Sequence, residues 1–233
     1  MGSHFMVFEA LMKGLIAKGH QVVVLSHFPQ NNPVPNYTDI DVSGSLPNLL
    51  DNVTIDTALR WRRFPSSLDF HWIFNRETCQ IVMNHMKTQA LLKSVEKFGL
   101  VITEIFGSKC AVGFSWKFNA PLVQVISSVP LPWTRARIGN VDHPSYMPNY
   151  FLPYTDKMGF WQRLKNTLYH LIINTGNMVY NSKPTSILMK DYFGADVPSV
   201  EQLTNNASLI LVNSHLSINW PRPAVPAFVE VGG

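Results

Sequence analysis

Apolar positions along the chain change period several times, and each change marks an element. From Phe5 to Lys18, Val7, Phe8, Leu11, Met12, Leu15 and Ile16 recur at helical spacing. Ser3 is placed to cap this helix and Gly19 to stop it. Val22-Val23-Val24-Leu25 then reads as a strand buried on both faces. Pro29 to Asn36 is a loop, and Val53 to Leu59 alternates as a strand does. A mostly helical stretch runs from Leu68 to Phe98 and ends at Gly99. Leu100-Val101-Ile102 is a short strand, Gly107 to Phe118 a helix, and Leu122 to Ile126 a strand.

Pro130 to Pro153 has no period and is rich in Pro, Trp and Tyr, which predicts a long ordered loop of the kind that lines a cleft. Helices follow over Phe160 to Asn181, Pro184 to Phe193 and Ser199 to Thr204. Ser208 to Val212 and Phe228 to Val231 are strands, joined through a kinked connector at Pro221 to Pro226. Alternating strands and helices predict an α/β domain with a mainly parallel sheet. Ligands in such folds sit at the carboxyl ends of strands. The turns after Leu25, Ile102, Ile126 and Val212 are therefore the places to search.

Composition narrows the classes. The chain has 233 residues, 46% hydrophobic and only 15% charged, which excludes a disordered segment and is ample for a packed core. The net charge of +4 is scattered, with its densest cluster at Arg60, Arg62 and Arg63, so no nucleic-acid footprint exists. Cys79 and Cys110 form one disulfide or stay as two buried thiols, and no ligand cluster suggests a metal. Sequons at Asn36, Asn52 and Asn206 hint at a lumenal history, against the lack of a signal peptide at the start. No stretch reads as a transmembrane span.

No GxGxxG, phosphate loop or GxSxG elbow occurs, which argues against a nicotinamide enzyme, a P-loop NTPase and a hydrolase. Histidine with an acid remains. His4 opens the first helix, where a neutral imidazole is favoured, as a general base requires. Glu104, just past Leu100-Val101-Ile102, stands where a partner carboxylate would. The alternative is a capping histidine near the chain start. Trp133, Tyr146, Tyr150, Phe151 and Tyr154 either line an apolar acceptor pocket or pin their own loop. His71 and His85 read as packing within their helix.

Several segments together resemble the insect UDP-glycosyltransferases. They are Ser3-His4-Phe5-Met6-Val7-Phe8-Glu9, Lys18-Gly19-His20-Gln21-Val22 and Ser26-His27-Phe28-Pro29 near the start. Val101-Ile102-Thr103-Glu104-Ile105-Phe106 and Phe118-Asn119-Ala120-Pro121 follow in the middle. Asn140, Asp142-His143-Pro144, Tyr146, Pro148 and Tyr150 belong to the Pro-rich loop, and Leu211-Val212-Asn213-Ser214-His215 with Phe228 to Gly233 to the end.

The resemblance implies the N-terminal half of a GT-B glycosyltransferase, a Rossmann-like parallel sheet flanked by helices. Residues 1–233 would be a single acceptor-binding domain. By the same resemblance it would lack the family's first strand and signal peptide, and the UDP-sugar domain and membrane anchor would be absent. The reaction implied is inverting hexosyl transfer from a UDP-sugar, UDP-glucose being the expected donor, to a hydroxyl of a small lipophilic acceptor. His4 would be the base and Glu104 its partner, while Lys109 stands where the family often has an acid. Phe5, Phe106, Trp133, Tyr146 and Tyr150 would touch the acceptor. No metal or cofactor is implied beyond the UDP-sugar co-substrate. The full enzyme would belong to the endoplasmic reticulum, touching the membrane only through the absent segments, and this chain alone would be inactive. The alternative function is a non-catalytic short form that binds small molecules or pairs with full-length enzymes.

Overall fold

The computed structural model describes residues 2–46, 54–56, 66–106, 109–135, 137–215, 217, 219 and 222–232. The first helix, α1 (Gly2–Ala17), already contains Ser3, so Ser3 lies inside the first turn and is not its cap. It stops as expected. Gly19 takes φ +86°, its N–H donates to Ile16 O, and the His20 N–H donates to Leu15 O. That is a Schellman ending, which favours glycine at the left-handed position.

β1 (Val22–Ser26) pairs in parallel with β2 (Tyr37–Asp41). β2 has no apolar run, and the periodicity missed it. Its acids serve the turns around it. Asp39 accepts from Gln30 N–H, and Asp41 accepts from Ser43 N–H and Lys87 Nζ. Most of the expected strand Val53 to Leu59 lies outside the described residues, and in its described part Ile55 and Asp56 are helical.

The long helix expected from Leu68 to Phe98 is two helices, α2 (Ser66–Asn84) and α3 (Met86–Lys93). His85 divides them. Its backbone is extended and its ring accepts from Lys87 N–H, so it caps α3 rather than packing within one helix. His71 has a side chain outside the described ones. The backbone turns extended again at Ser94, before Phe98.

A second sheet has the parallel order β3 (Val101–Glu104), β4 (Leu122–Ile126), β5 (Leu209–Val212) and β6 (Phe228–Glu230). The mainly parallel sheet is thus present in two parts. β4 is buried at every residue, which explains its unbroken apolar character. Within the helix expected over Gly107 to Phe118, residues 107 and 108 lie outside the described ones. The rest is a 3-10 turn, Cys110–Val112, leading into α4 (Gly113–Phe118). The loop after β4 holds α5 (Pro132–Arg135) and the 3-10 turn Arg137–Gly139.

Then α6 (Phe160–Gly176), a π-helical segment Asn177–Ser182 and α7 (Lys183–Phe193) follow one another with helical dihedrals at both junctions. α8 (Val200–Asn205) carries a Ser199–Gln202 capping box. The main core joins α2, α4, α7 and α8 to the sheet through Met83, Phe114, Leu122, Met189 and Val200. At its centre Cys79 and Cys110 form a disulfide, the first of the two alternatives open for them. Gly113 is required where it stands, because a Cβ there would collide with the Phe193 ring.

Candidate functional site

The strand ends meet as the parallel sheet predicts. Glu104 ends β3, Ser127 follows β4, and Asn213 follows β5 and donates from Nδ2 to Ser127 O over 3.1 Å. α1 brings His4 against them. His4 Nδ1 lies 2.7 Å from Glu104 Oε1 and 2.7 Å from Ser127 Oγ, while Ser127 Oγ donates to Glu104 Oε1 over 2.8 Å. With the Ser127 hydroxyl donating to Glu104, the histidine tautomer protonated at Nδ1 donates to both oxygens. That tautomer leaves Nε2 unprotonated, as a base requires. The Phe106 ring meets the imidazole edge-on at 4.4 Å and restricts its rotation. The histidine and glutamate side chains are 23% and 32% exposed, so the pair is sheltered but open to a substrate.

Sequence reasoning named His4 and Glu104 and missed Ser127. The signal was present: the turn after Ile126 is a strand carboxyl end, and it opens with Ser127-Ser128.

Behind Glu104 lies a cavity of about 10 Å³, also lined by Phe106, Lys109, Gln124, Trp133 and Arg137. It has room for one water and not for an organic substrate. Two cations are buried around it. Lys109 Nζ donates to Asn177 Oδ1 and Ser182 Oγ of the π segment, and Arg137 Nη1 donates to Gln124 Oε1. Burial, and after it the Arg137 charge, pull Lys109 from its ordinary 10.5 down to about 7. Burial likewise lowers Arg137 to about 10. Periodicity could not have marked either residue as buried.

Of the aromatic candidates, Phe106 and Trp133 reach this cavity. Tyr150 stands edge-on to Phe151, whose ring centroid is 6.3 Å from that of Trp133, so it belongs to the same aromatic group at one remove. Phe5 lies against Phe28, and Tyr146 stacks on His143; neither lines the cavity. Among the described residues no group of histidine, cysteine and acid could hold a metal.

The sequence pattern of the family described as UDP-glucoronosyl and UDP-glucosyl transferase matches residues 1–233. The chain belongs to that family. It is 35% identical over 235 residues to UDP-glucosyltransferase 2 of Dactylopius coccus, covering 99% of this chain and 45% of that protein. UDP-glycosyltransferase UGT5 of the same insect is 34% identical over 238 residues, again 99% of this chain and 45% of the relative. UDP-glucuronosyltransferase 2B7 of Homo sapiens is 24% identical over 254 residues, 99% of this chain and 46% of the relative. This UDP-glycosyltransferase chain therefore spans about half the length of the curated relatives it matches. No solved structure matches it.

Proposed function

We propose that this chain is the acceptor-binding half of an inverting, UDP-sugar-dependent glycosyltransferase of GT-B architecture, with His4 as general base. The observation that carries the reading is the His4–Glu104–Ser127 triangle at the carboxyl ends of the parallel strands. An acceptor hydroxyl presented to His4 Nε2 gives up its proton there, while its oxygen attacks the anomeric carbon of the sugar. The bond from that carbon to the UDP oxygen breaks, UDP leaves, and the configuration inverts. Glu104 and Ser127 hold the ring by Nδ1, and the carboxylate stabilises the imidazolium as it forms.

The cavity behind Glu104 is too small for an acceptor, which supports a reading with the acceptor on the open side of His4, beside Phe106. Small lipophilic alcohols and phenols suit such a wall. UDP-glucose is the expected donor, in keeping with the name of the insect relative. The buried disulfide, and the exposure of the Asn36 and Asn206 sequons, suit an oxidising lumen such as that of the endoplasmic reticulum.

The test joins this chain to the remaining half of the Dactylopius coccus relative and measures glucose transfer from UDP-glucose to a phenol. His4→Ala should lower kcat by about 10²- to 10⁴-fold with acceptor binding intact. Ser127→Ala should cost less, because Glu104 still holds the ring. A His4→Ala protein that transfers sugar within about tenfold of the parent would overturn the proposal.

A further inference from the structure

The small cavity behind Glu104 gathers charges from four parts of the chain. Lys109, from the turn after β3, and Arg137, from the turn after α5, both line it and are both buried. Glu104 lines it from the end of β3. Glu201 of α8 acts on both cations through its charge, and its Oε1 is buried without a hydrogen bond. The bonds of the two cations go instead to neutral groups: Asn177 and Ser182 for Lys109, Gln124 for Arg137.

A buried charge bonded only to neutral partners is costly. An apolar side chain at 109 would fill the same space at lower cost, so packing alone does not account for the lysine. The charge sum does. With Lys109 and Arg137 positive and Glu201 negative, the group is neutral only when Glu104 is ionised. The cavity has room for one water, so little solvent screens that sum.

We propose that Lys109 and Arg137 are positioning residues: across the cavity they hold Glu104 ionised, and so keep the ring proton of His4 on Nδ1. An ionised carboxylate only accepts. It therefore receives the Ser127 hydroxyl and the Nδ1–H together, as found at Oε1. A protonated Glu104 would bring its own hydrogen to that cluster. Donated to Nδ1, it would move the ring proton to Nε2, which then could not accept one from a substrate. The role rests on the reading of His4 as a base; the charge relation does not.

Carbon-13 NMR of the full chain, labelled in its glutamate carboxyl groups, tests this, with Glu104 assigned from the Glu104→Gln spectrum. Lys109 titrates near 7 and stays charged throughout the range where carboxyl groups titrate. Lys109→Met should raise the Glu104 midpoint by at least about half a pH unit, as expected for one charge lost across such a cavity. Lys109→Arg keeps the charge and should return the midpoint to the parent value. Arg137→Met leaves the Asn177 and Ser182 bonds whole and should raise it in the same direction, which decides the matter even where Lys109→Met does not fold. A midpoint indifferent to both methionine variants overturns the inference. So does a shift that Lys109→Arg fails to reverse, which would reduce the lysine to a pin for the π segment. In the joined enzyme described above, the acid limb of kcat/KM should move up with the midpoint in Lys109→Met. Sugar transfer that survives His4→Ala would sink the base and not the charge relation; an unmoved Glu104 midpoint with His4 still essential would sink the charge relation and not the base.

Discussion

His4 and Ser127 stand 123 residues apart in sequence and 2.7 Å apart in space. Each is a common residue type, and only the sheet makes them neighbours. The same holds for Lys109, whose charge is buried with Asn177 and Ser182 as neutral partners. The Glu201 charge offsets the burial only in part. This residue gives the chain a pH dependence with a definite sign. The folded lysine titrates near 7 against an ordinary 10.5, so between those values the unfolded chain holds more protons than the folded one. Stability should then rise with pH across that window, by up to about 1.4 kcal/mol per unit from this group. Below it both states are charged and the destabilisation is complete. Urea unfolding at pH 7 and pH 9 should give the rise in the parent and a flatter response in Lys109→Met. Equal slopes in the two proteins would rule the lysine out as its source.

Elements here are fixed as much by what clips them as by their own periodicity. The long loop after β4 is clipped to α6 by Asn166. Asn166 is fully buried, accepts from Asn149 N–H over 2.8 Å, and donates to Pro144 O and Met147 O over 2.6 and 2.9 Å. Those three bonds replace the sheet or helix ladder that the loop's backbone lacks. Asn166→Ala should therefore lower stability by about 2–3 kcal/mol in urea unfolding. It should also speed hydrogen exchange at the Asn149 amide. A loss confined to stability, with that amide still protected, would show that other contacts hold the loop. His170 supports the same junction, its Nδ1 lying 3.4 Å from Asp142 Oδ2 with both side chains buried.

For the whole molecule, the disulfide ties α2 to the turn after β3 inside the largest apolar cluster. It closes a separation of 31 residues, for which chain entropy gives about 3–4 kcal/mol. Cys79→Ser with Cys110→Ser should lower the urea midpoint accordingly, and reductant should do the same to the parent once the core opens. A midpoint insensitive to both would mean that packing alone holds α2 in place.

The sequence by itself determined the element types wherever an apolar period was strong: α1 with its glycine stop, β1, β4, β5 and α8 with its capping box. It also determined the family pattern and its histidine and acid candidates. Tertiary structure decided what periodicity cannot encode. It made a strand of Tyr37–Asp41, whose acids are satisfied by turns and by Lys87. It divided the long helix at His85 through a local cap and closed the disulfide. Above all, it brought Ser127 to His4 and turned the apolar side of α6 outward. Periodicity reports that a helix has an apolar side; which side meets the core depends on partners far away in sequence.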